Sequence, residues 1–346
     1  MCILRINIKE STMLILGIES SCDETGLALY SEDHGLIAHL VNSQIDLFTE
    51  YGGVIPEIAA RDHSAKIIGI LKQLLKQTNH KLNDIDLIAY TAGPGLIGSL
   101  MIGETVAKTI ANVLNIELLP INHLEGHILA PGLEEDGLEP PYLCLLVSGG
   151  HTQIIRCDGY GKYKIIGETI DDACGEAFDK VGKLLNLEYP GGPKVSQLAE
   201  NGDSHRFKFP RAMMKDKNLN FSFSGLKTAV LYALEDLNEG DHADVAASFQ
   251  EAVIDALTTK LTWAVQDTKI HKLVCSGGVA SNKLLRERLK QMAVNNNLEV
   301  SYPRMEFCTD NAAMIAYAGF IRKKFKLPTY STNYARPRWP LGELYD

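Results

Sequence analysis

Short apolar runs of strand length alternate along this chain with longer stretches in which apolar residues recur every three or four positions. These are the two periods of a mixed α/β protein. Residues 14–30 read as a strand, a polar turn of small and hydroxylic residues, and a second strand, and residues 35–45 continue as a third. A loop from Gly52 to Glu57 leads into a predicted helix over about 58–77, and Asp84 to Tyr90 is a buried strand. The turn Thr91 to Ser99, rich in glycine, enters a predicted helix over about 100–114, and Ile116 to Ile121 is again a buried strand. Such a turn either cradles an anion at the helix N-terminus or packs loop tightly against helix.

Residues 132–141, acidic and rich in Pro and Gly, read as a linker, and after it the opening is replayed. Tyr142 to Arg156 is again strand, small polar turn and strand, about 130 residues downstream of the first hairpin, which implies a duplicated architecture. A third glycine turn, Val274 to Asn282, ends a strand and starts a helix. Two such hairpins and a late Gly-Gly turn are the layout of a two-lobed actin-like, sugar-kinase-like α/β fold built from duplicated RNase H-like domains, with the ligand between the lobes. The predicted division is an extension at 1–12, a first lobe at 13–131, the linker at 132–141, a second lobe at 142–325 with a helical insertion at about 171–265, and a tail at 326–346.

The chemistry concentrates at residues 120–131. Asn122 is a suitable N-cap and Pro131 a stop, so a short helix is expected between them. His123 and His127, four apart, then share one face. Two readings are open: a partial set of ligands for iron or zinc, or one histidine capping the helix and the other packed on the sheet. Metalloprotease helices carry their general base directly after the first histidine. Here Leu124 stands there and Glu125 points off the shared face, which disfavours peptide hydrolysis.

Composition adds limits. The chain of 346 residues is 45% apolar and 22% charged, ordinary for a globular protein with a large core. No apolar run approaches the roughly 18 residues of a membrane span, and residues 1–12 show no signal-peptide pattern, with Met13 opening a cleaner strand. Seven scattered cysteines without a Cys-x2-Cys pair fit reduced thiols in a cytoplasm. The net charge of −9 speaks against nonspecific nucleic-acid binding, so any RNA contact must be local. Residues 205–227 mix Arg206, Lys208, Arg211, Lys215, Lys217 and Lys227 with Phe207, Phe209, Phe221 and Phe223. This pattern serves either an RNA backbone with unstacked bases or a solvated surface over core phenylalanines. Arg322, Lys323, Lys324, Lys326, Arg336 and Arg338 form a second basic cluster.

Seven stretches in order along the chain resemble one family: Gly17 to Thr25, Gly93 to Ser99, Asn122 to His127, Leu146 to Thr152, Phe221 to Lys227, Ser276 to Asn282 and Cys308 to Asn311. They are similar to the bacterial TsaD proteins, tRNA N6-adenosine threonylcarbamoyltransferases once described as O-sialoglycoprotein endopeptidases. The resemblance runs from Met13 to about Arg338. It implies threonylcarbamoyl-AMP as donor and, as acceptor, the N6 amine of the adenosine just 3′ of the anticodon in tRNAs reading codons that start with A. It also implies one divalent metal, Fe2+ or else Zn2+, held by His123, His127 and Asp310. Leu146, Val147, Ser148, Gly149, Gly150, Asp179, Gly192 and Asn282 match substrate-binding positions, as does Ser196, where some members have Asp. Asp23 and Glu24 would face the same cleft and take the amine proton. The resemblance further implies a cytoplasmic enzyme working with a shorter actin-like protein, TsaB, and a small ATPase, TsaE. The helices at 58–77 and 100–114 carry Ile67, Ile68, Ile70, Leu71 and Ile110, more apolar residues than one sheet face easily covers, so either they offer a face to a partner or both are buried between the sheet and the loops. The alternatives are a small-molecule kinase or ATPase on the same fold, whose Mg2+ would call for carboxylates rather than imidazoles, and a noncatalytic nucleotide-binding scaffold.

Overall fold

The computed structural model describes residues 13–134, 138–215, 217–235, 237–329 and 334–344. The expected extension at 1–12 and the centre of the linker lie outside the described residues. The first lobe opens with β1 (Leu14–Glu19), β2 (Glu24–Ser31) and β3 (Gly35–Ser43), followed by α1 (Ile45–Thr49) and α2 (Pro56–Thr78). It closes with β4 (Leu87–Gly93), α3 (Ile97–Leu114), β5 (Glu117–Asn122) and α4 (His123–Leu129). β4 starts later than the apolar pattern suggests because Leu82–Asp84 coil into a 3-10 turn, closed by the Asp84 carboxylate accepting from the Lys81 amide.

The second lobe repeats this order. β6 (Tyr142–Val147), β7 (Thr152–Gly159) and β8 (Lys162–Glu168) precede α5 (Cys174–Leu184), α6 (Gly191–Ala199), α7 (Ser224–Leu234) and α8 (His242–Thr268). β9 (Lys272–Ser276), α9 (Lys283–Asn296), β10 (Glu299–Ser301) and α10 (Ala312–Lys324) end it. The sheet orders are β3-β2-β1-β4-β5 and β10-β9-β6-β7-β8. Reading the second backwards gives the same plan, an antiparallel meander of three strands with two parallel strands added by helical crossovers. The duplication expected from the repeated hairpins is therefore present strand for strand.

Alternation within β1 explains its two neighbours. Leu14, Leu16 and Ile18 share a core with Ile67, Leu71 and Leu74 of α2 and with Ala107, Ile110 and Ala111 of α3. Ile15 faces the opposite way, into a core with Ala312, Ala313, Ala316 and Ile321 of α10. Small residues let α10 lie close: a Cβ on Gly17 would collide with the Ala312 carbonyl oxygen. Chain order assigns 312–325 to the second lobe, but α10 packs on the sheet of the first. The tail also returns there, where the Arg336 amide donates to the Ala92 oxygen (2.6 Å) and the Gly95 amide to the Pro337 oxygen (3.2 Å).

Most of the apolar surplus expected on α2 and α3 is absorbed. Ile67, Leu71 and Ile110 are core residues, and the outward apolar positions are Ile68, Ile97, Met101 and Val113. The glycine turn into α3 resolves as packing. Leu96 donates its amide to the Ser21 oxygen (2.8 Å), Ser20 Oγ donates to the Ser99 oxygen (2.9 Å), and a Cβ on Gly95 would crowd Ser21. No helix among the described residues is long and apolar enough to cross a membrane.

Candidate metal centre and interlobe cleft

α4 begins where β5 ends, and Asn122 makes the turn. Its Oδ1 accepts from the amides of Leu124 (2.9 Å) and Glu125 (3.4 Å), while its Nδ2 donates to the Trp339 oxygen (2.9 Å). This cap holds the first turn of a helix too short to be stable alone. The four-residue spacing then directs both imidazoles to one place, where Asp310, just before α10, joins them. His127 Nε2 lies 3.1 Å and His123 Nε2 3.4 Å from Asp310 Oδ1. The three donor atoms lie within 4.8 Å of one another. The capping alternative for the histidines does not hold, because Asn122 is the cap.

The other ring nitrogens complete the test of fit. His123 Nδ1 lies 3.2 Å from both Glu19 Oε2 and Ser21 Oγ. Glu19, fully buried at the end of β1, also accepts from the Ser21 amide and the Thr91 hydroxyl. A carboxylate behind a histidine fixes the tautomer with Nε2 free to ligate. His127 Nδ1 is buried with no hydrogen-bond partner among the described residues. Two imidazoles and one carboxylate form a donor set suited to iron or zinc, so these residues fit a divalent metal.

The electrostatics agree. Burial opposes charge on His123, yet the carboxylates of Asp310 and Glu19 outweigh it and raise its pKa well above the usual imidazole range. Burial likewise pushes Asp310 up, but His123 and His127 hold it well below the usual carboxylate range. Burial together with His123 and His127 depresses the nearby His151 to about 4.

Of the remaining expected residues, Asp23 and Glu24 stand at the start of β2, half-buried. Burial, then Asp23 and Asp310, raise the Glu24 carboxyl well above the usual range, and its Oε1 accepts from the Ser43 hydroxyl (3.3 Å). Leu146 and Val147 are buried in β6 and offer only backbone. In the turn that follows, Ser148 gives its amide to the His151 oxygen (2.8 Å), whereas a Cβ on Gly149 or Gly150 would meet only open space. Gly277, at φ +93°, packs where a Cβ would strike the Val147 oxygen.

Asp179 Oδ1 accepts from the amides of Gly191 (2.8 Å) and Gly192 (3.1 Å), closing the turn into α6. Asn282 caps α9 through the Leu285 amide (3.0 Å), and its Nδ2 donates to Ser196 Oγ (2.8 Å) and Gln250 Oε1 (2.7 Å). Asn282 and Ser196 thus meet in one internal network with Gln250. Sequence reasoning did not single out Glu19, although a lone acid closing an otherwise apolar strand was its signal.

In the stretch 205–227 the phenylalanines follow the second of its two readings, and in both basic clusters some cations are already paired. Arg206 is paired with Asp241 and Asp244 (2.6 Å each), and Arg211 with Asp255 (3.0 Å). Phe209, Phe221 and Phe223 are core residues and Phe207 packs against that core, so these rings serve packing. Lys208, Lys215 and Lys217 remain exposed. Arg322 is not part of a surface cluster, because it is buried against Glu125.

Comparison with known proteins bears on this arrangement. The family model TsaD, tRNA N6-adenosine threonylcarbamoyltransferase, matches residues 35–317. A tRNA N6-adenosine threonylcarbamoyltransferase of Methylobacillus flagellatus is 51% identical over 336 residues, covering 96% of this chain and 99% of that protein. The chain belongs to the TsaD family. It is thus a transferase family member acting in tRNA modification, as the motifs suggested. Among solved structures, full-length HypF in a phosphate- and nucleotide-bound form has a TM-score of 0.61 at 12% identity, covering 91% of this chain and 47% of HypF. Component A of the (R)-2-hydroxyglutaryl-CoA dehydratase of Acidaminococcus fermentans has a TM-score of 0.51 at 13% identity, covering 88% and 96%. At such identities these two share the fold alone, the actin-like ATPase one.

Proposed function

We propose that this TsaD protein transfers the threonylcarbamoyl group of threonylcarbamoyl-AMP to N6 of the adenosine at position 37, just 3′ of the anticodon, in tRNAs reading codons that begin with A. The observation carrying this reading is the meeting of His123, His127 and Asp310 from separate parts of the chain. The amine attacks the carbamoyl carbon, the carbon–oxygen bond to phosphate breaks, AMP leaves, and the amine loses a proton. The donor is already an activated mixed anhydride, so the protein's part is to hold donor and amine in line.

His123, His127 and Asp310 would hold the metal, with Glu19 fixing His123, and the family resemblance favours Fe2+. When bound, the ion supplies Lewis acidity toward donor oxygens. The amides of Gly149 and Gly150, where a Cβ would meet only open space, meet the AMP phosphate. Asp179, its Oδ1 held by two amides, offers Oδ2 to a ribose hydroxyl. Gly192 lies in the same turn. Contact with Asn282 and Ser196 requires exchanging one of their internal bonds. Asp23 and Glu24 are the acids that take the amine proton, the Glu24 carboxyl being raised well above its usual range by burial and by Asp23. The exposed lysines 208, 215 and 217 meet the tRNA backbone. The outward apolar positions of α2 and α3 meet TsaB, with TsaE acting beside it, in the cytoplasm. The test is incubation with threonylcarbamoyl-AMP, TsaB, TsaE and unmodified tRNA, followed by nucleoside analysis. Modified adenosine should form, and should vanish when position 37 is guanosine. No modification, or modification that survives that change, would overturn the reading.

A further inference from the structure

Glu125 lies between the two histidines on α4 but faces away from them, into a wholly buried ion pair. Arg322 Nη1, near the far end of α10, lies 3.1 Å from both Glu125 Oε1 and Oε2. Arg322 Nη2 donates to the Pro328 oxygen (3.1 Å), and the Tyr163 hydroxyl on β8 donates to Glu125 Oε1 (3.2 Å). The side chains of Glu125 and Arg322 are 0% and 1% exposed.

A pair this deep asks what it contributes. Removing two charges from water costs about what their attraction returns, and apolar replacements of buried pairs are often neutral or stabilising. Net stability is therefore a poor account of it, whereas register is a good one. α4 and α10 meet through Gly126 against Met314 and Ile315, a smooth apolar contact that resists sliding weakly. Yet α4 carries His123 and His127, and Asp310 immediately precedes the N-cap of α10, Asn311, whose Oδ1 accepts from the Met314 amide (3.0 Å). Arg322 stands ten residues beyond Ala312, on the order of 15 Å along the helix axis. The two helices are thus held at two separated points, the triad at one end of α10 and the ion pair near the other.

We propose that Glu125 and Arg322, with Tyr163, are positioning residues that lock α4 to α10 and so keep the ligand atoms of His123 and His127 in reach of Asp310. Tyr163 ties this register to the sheet of the second lobe. The proposal rests on the reading of the triad as a metal site and adds residues that touch neither metal nor substrate.

The test uses the full chain and Co2+ as probe, reading affinity by chelator competition, the visible ligand-field bands, and the melting of the metal-free protein. The double variant Glu125→Leu/Arg322→Met should melt near or above the wild type, yet bind Co2+ at least tenfold more weakly with altered bands. Losses of about 10- to 100-fold are usual when the groups orienting metal ligands are removed. Tyr163→Phe should fold and weaken Co2+ severalfold. A folded double variant that binds Co2+ as the wild type does, with the same bands, would overturn the proposal. If the double variant fails to fold, wild-type affinity and bands in Tyr163→Phe overturn it instead. Wild type and His127→Ala run alongside: equal Co2+ binding by those two would remove the metal reading itself, and this proposal with it.

Discussion

His123 Nδ1 stands 3.2 Å from Glu19 Oε2, although 104 positions separate the two residues in the chain. The contact ties the end of β1 to the start of α4 and leaves the opposite ring nitrogen directed at Asp310. Replacing Glu19 with Gln keeps the shape but weakens the grip on the imidazole. Zinc affinity, measured by competition with a chelating dye, should fall by about 10- to 100-fold. Unchanged affinity would reduce Glu19 to a packing role.

Binding of tRNA by a chain with a net charge of −9 must be local. Because Arg206 and Arg211 are paired with Asp241, Asp244 and Asp255, the electrostatic contact falls to the exposed lysines. Lys208→Glu together with Lys215→Glu should weaken tRNA binding and flatten its dependence on salt. Arg206→Ala should act mainly on stability. Filter binding at several salt concentrations separates the two, and equal salt slopes for wild type and the lysine variant would place the RNA elsewhere.

Much of the fold was legible because the chain states it twice. The hairpins opening at Leu14 and Tyr142 carry the same alternation, and each is followed by a glycine turn and a helix. The His-x3-His spacing likewise exposed one half of the triad, since a helix face is a local property. What failed was non-local. Arg322 stands in a basic run with Lys323 and Lys324, and nothing in that run tells that it turns inward to Glu125 on another helix. Arg206 has the same history with Asp241 and Asp244. The placement of α10 on the first sheet follows from its small residues meeting Gly17, a match visible only once the strand and helix are brought together.

Asp171 offers a test through pH. Burial works against its charge, but hydrogen bonds from Ser222, Phe223 and Ser224 outweigh that and hold its carboxyl below the usual range. The bonds cap α7 from a distant residue and are worth about 1 kcal/mol. A depressed folded-state pKa stabilises above the unfolded value near 3.9 and loses that contribution as pH falls through the folded value. Asp171→Asn should therefore melt below the wild type at pH 7, and the gap should close toward pH 3. A gap independent of pH would contradict this.

The outward apolar residues Ile68, Met101 and Val113 on α2 and α3 form the expected face for TsaB. Alone, the protein should give little multi-turnover modification, and TsaB should restore it. Ile68→Asp with Val113→Asp should block the rescue while leaving the melting temperature within a few degrees, since exposed positions contribute little to stability. Robust turnover without any partner would refute the prediction.

The most direct measurement is single-turnover transfer of label from threonylcarbamoyl-AMP, carrying labelled threonine, to unmodified tRNA by the assembled wild type and by His123→Ala, His127→Ala and Asp310→Ala. The wild type should place label on tRNA and release AMP in equal amounts. Each alanine variant should fold, lose bound metal and transfer at least about 100-fold more slowly, a loss comparable to removing one group that stabilises a transition state. Transfer at the wild-type rate by a metal-free His127→Ala protein would contradict the role assigned to the triad. A wild type that leaves tRNA unlabelled would contradict the transfer itself.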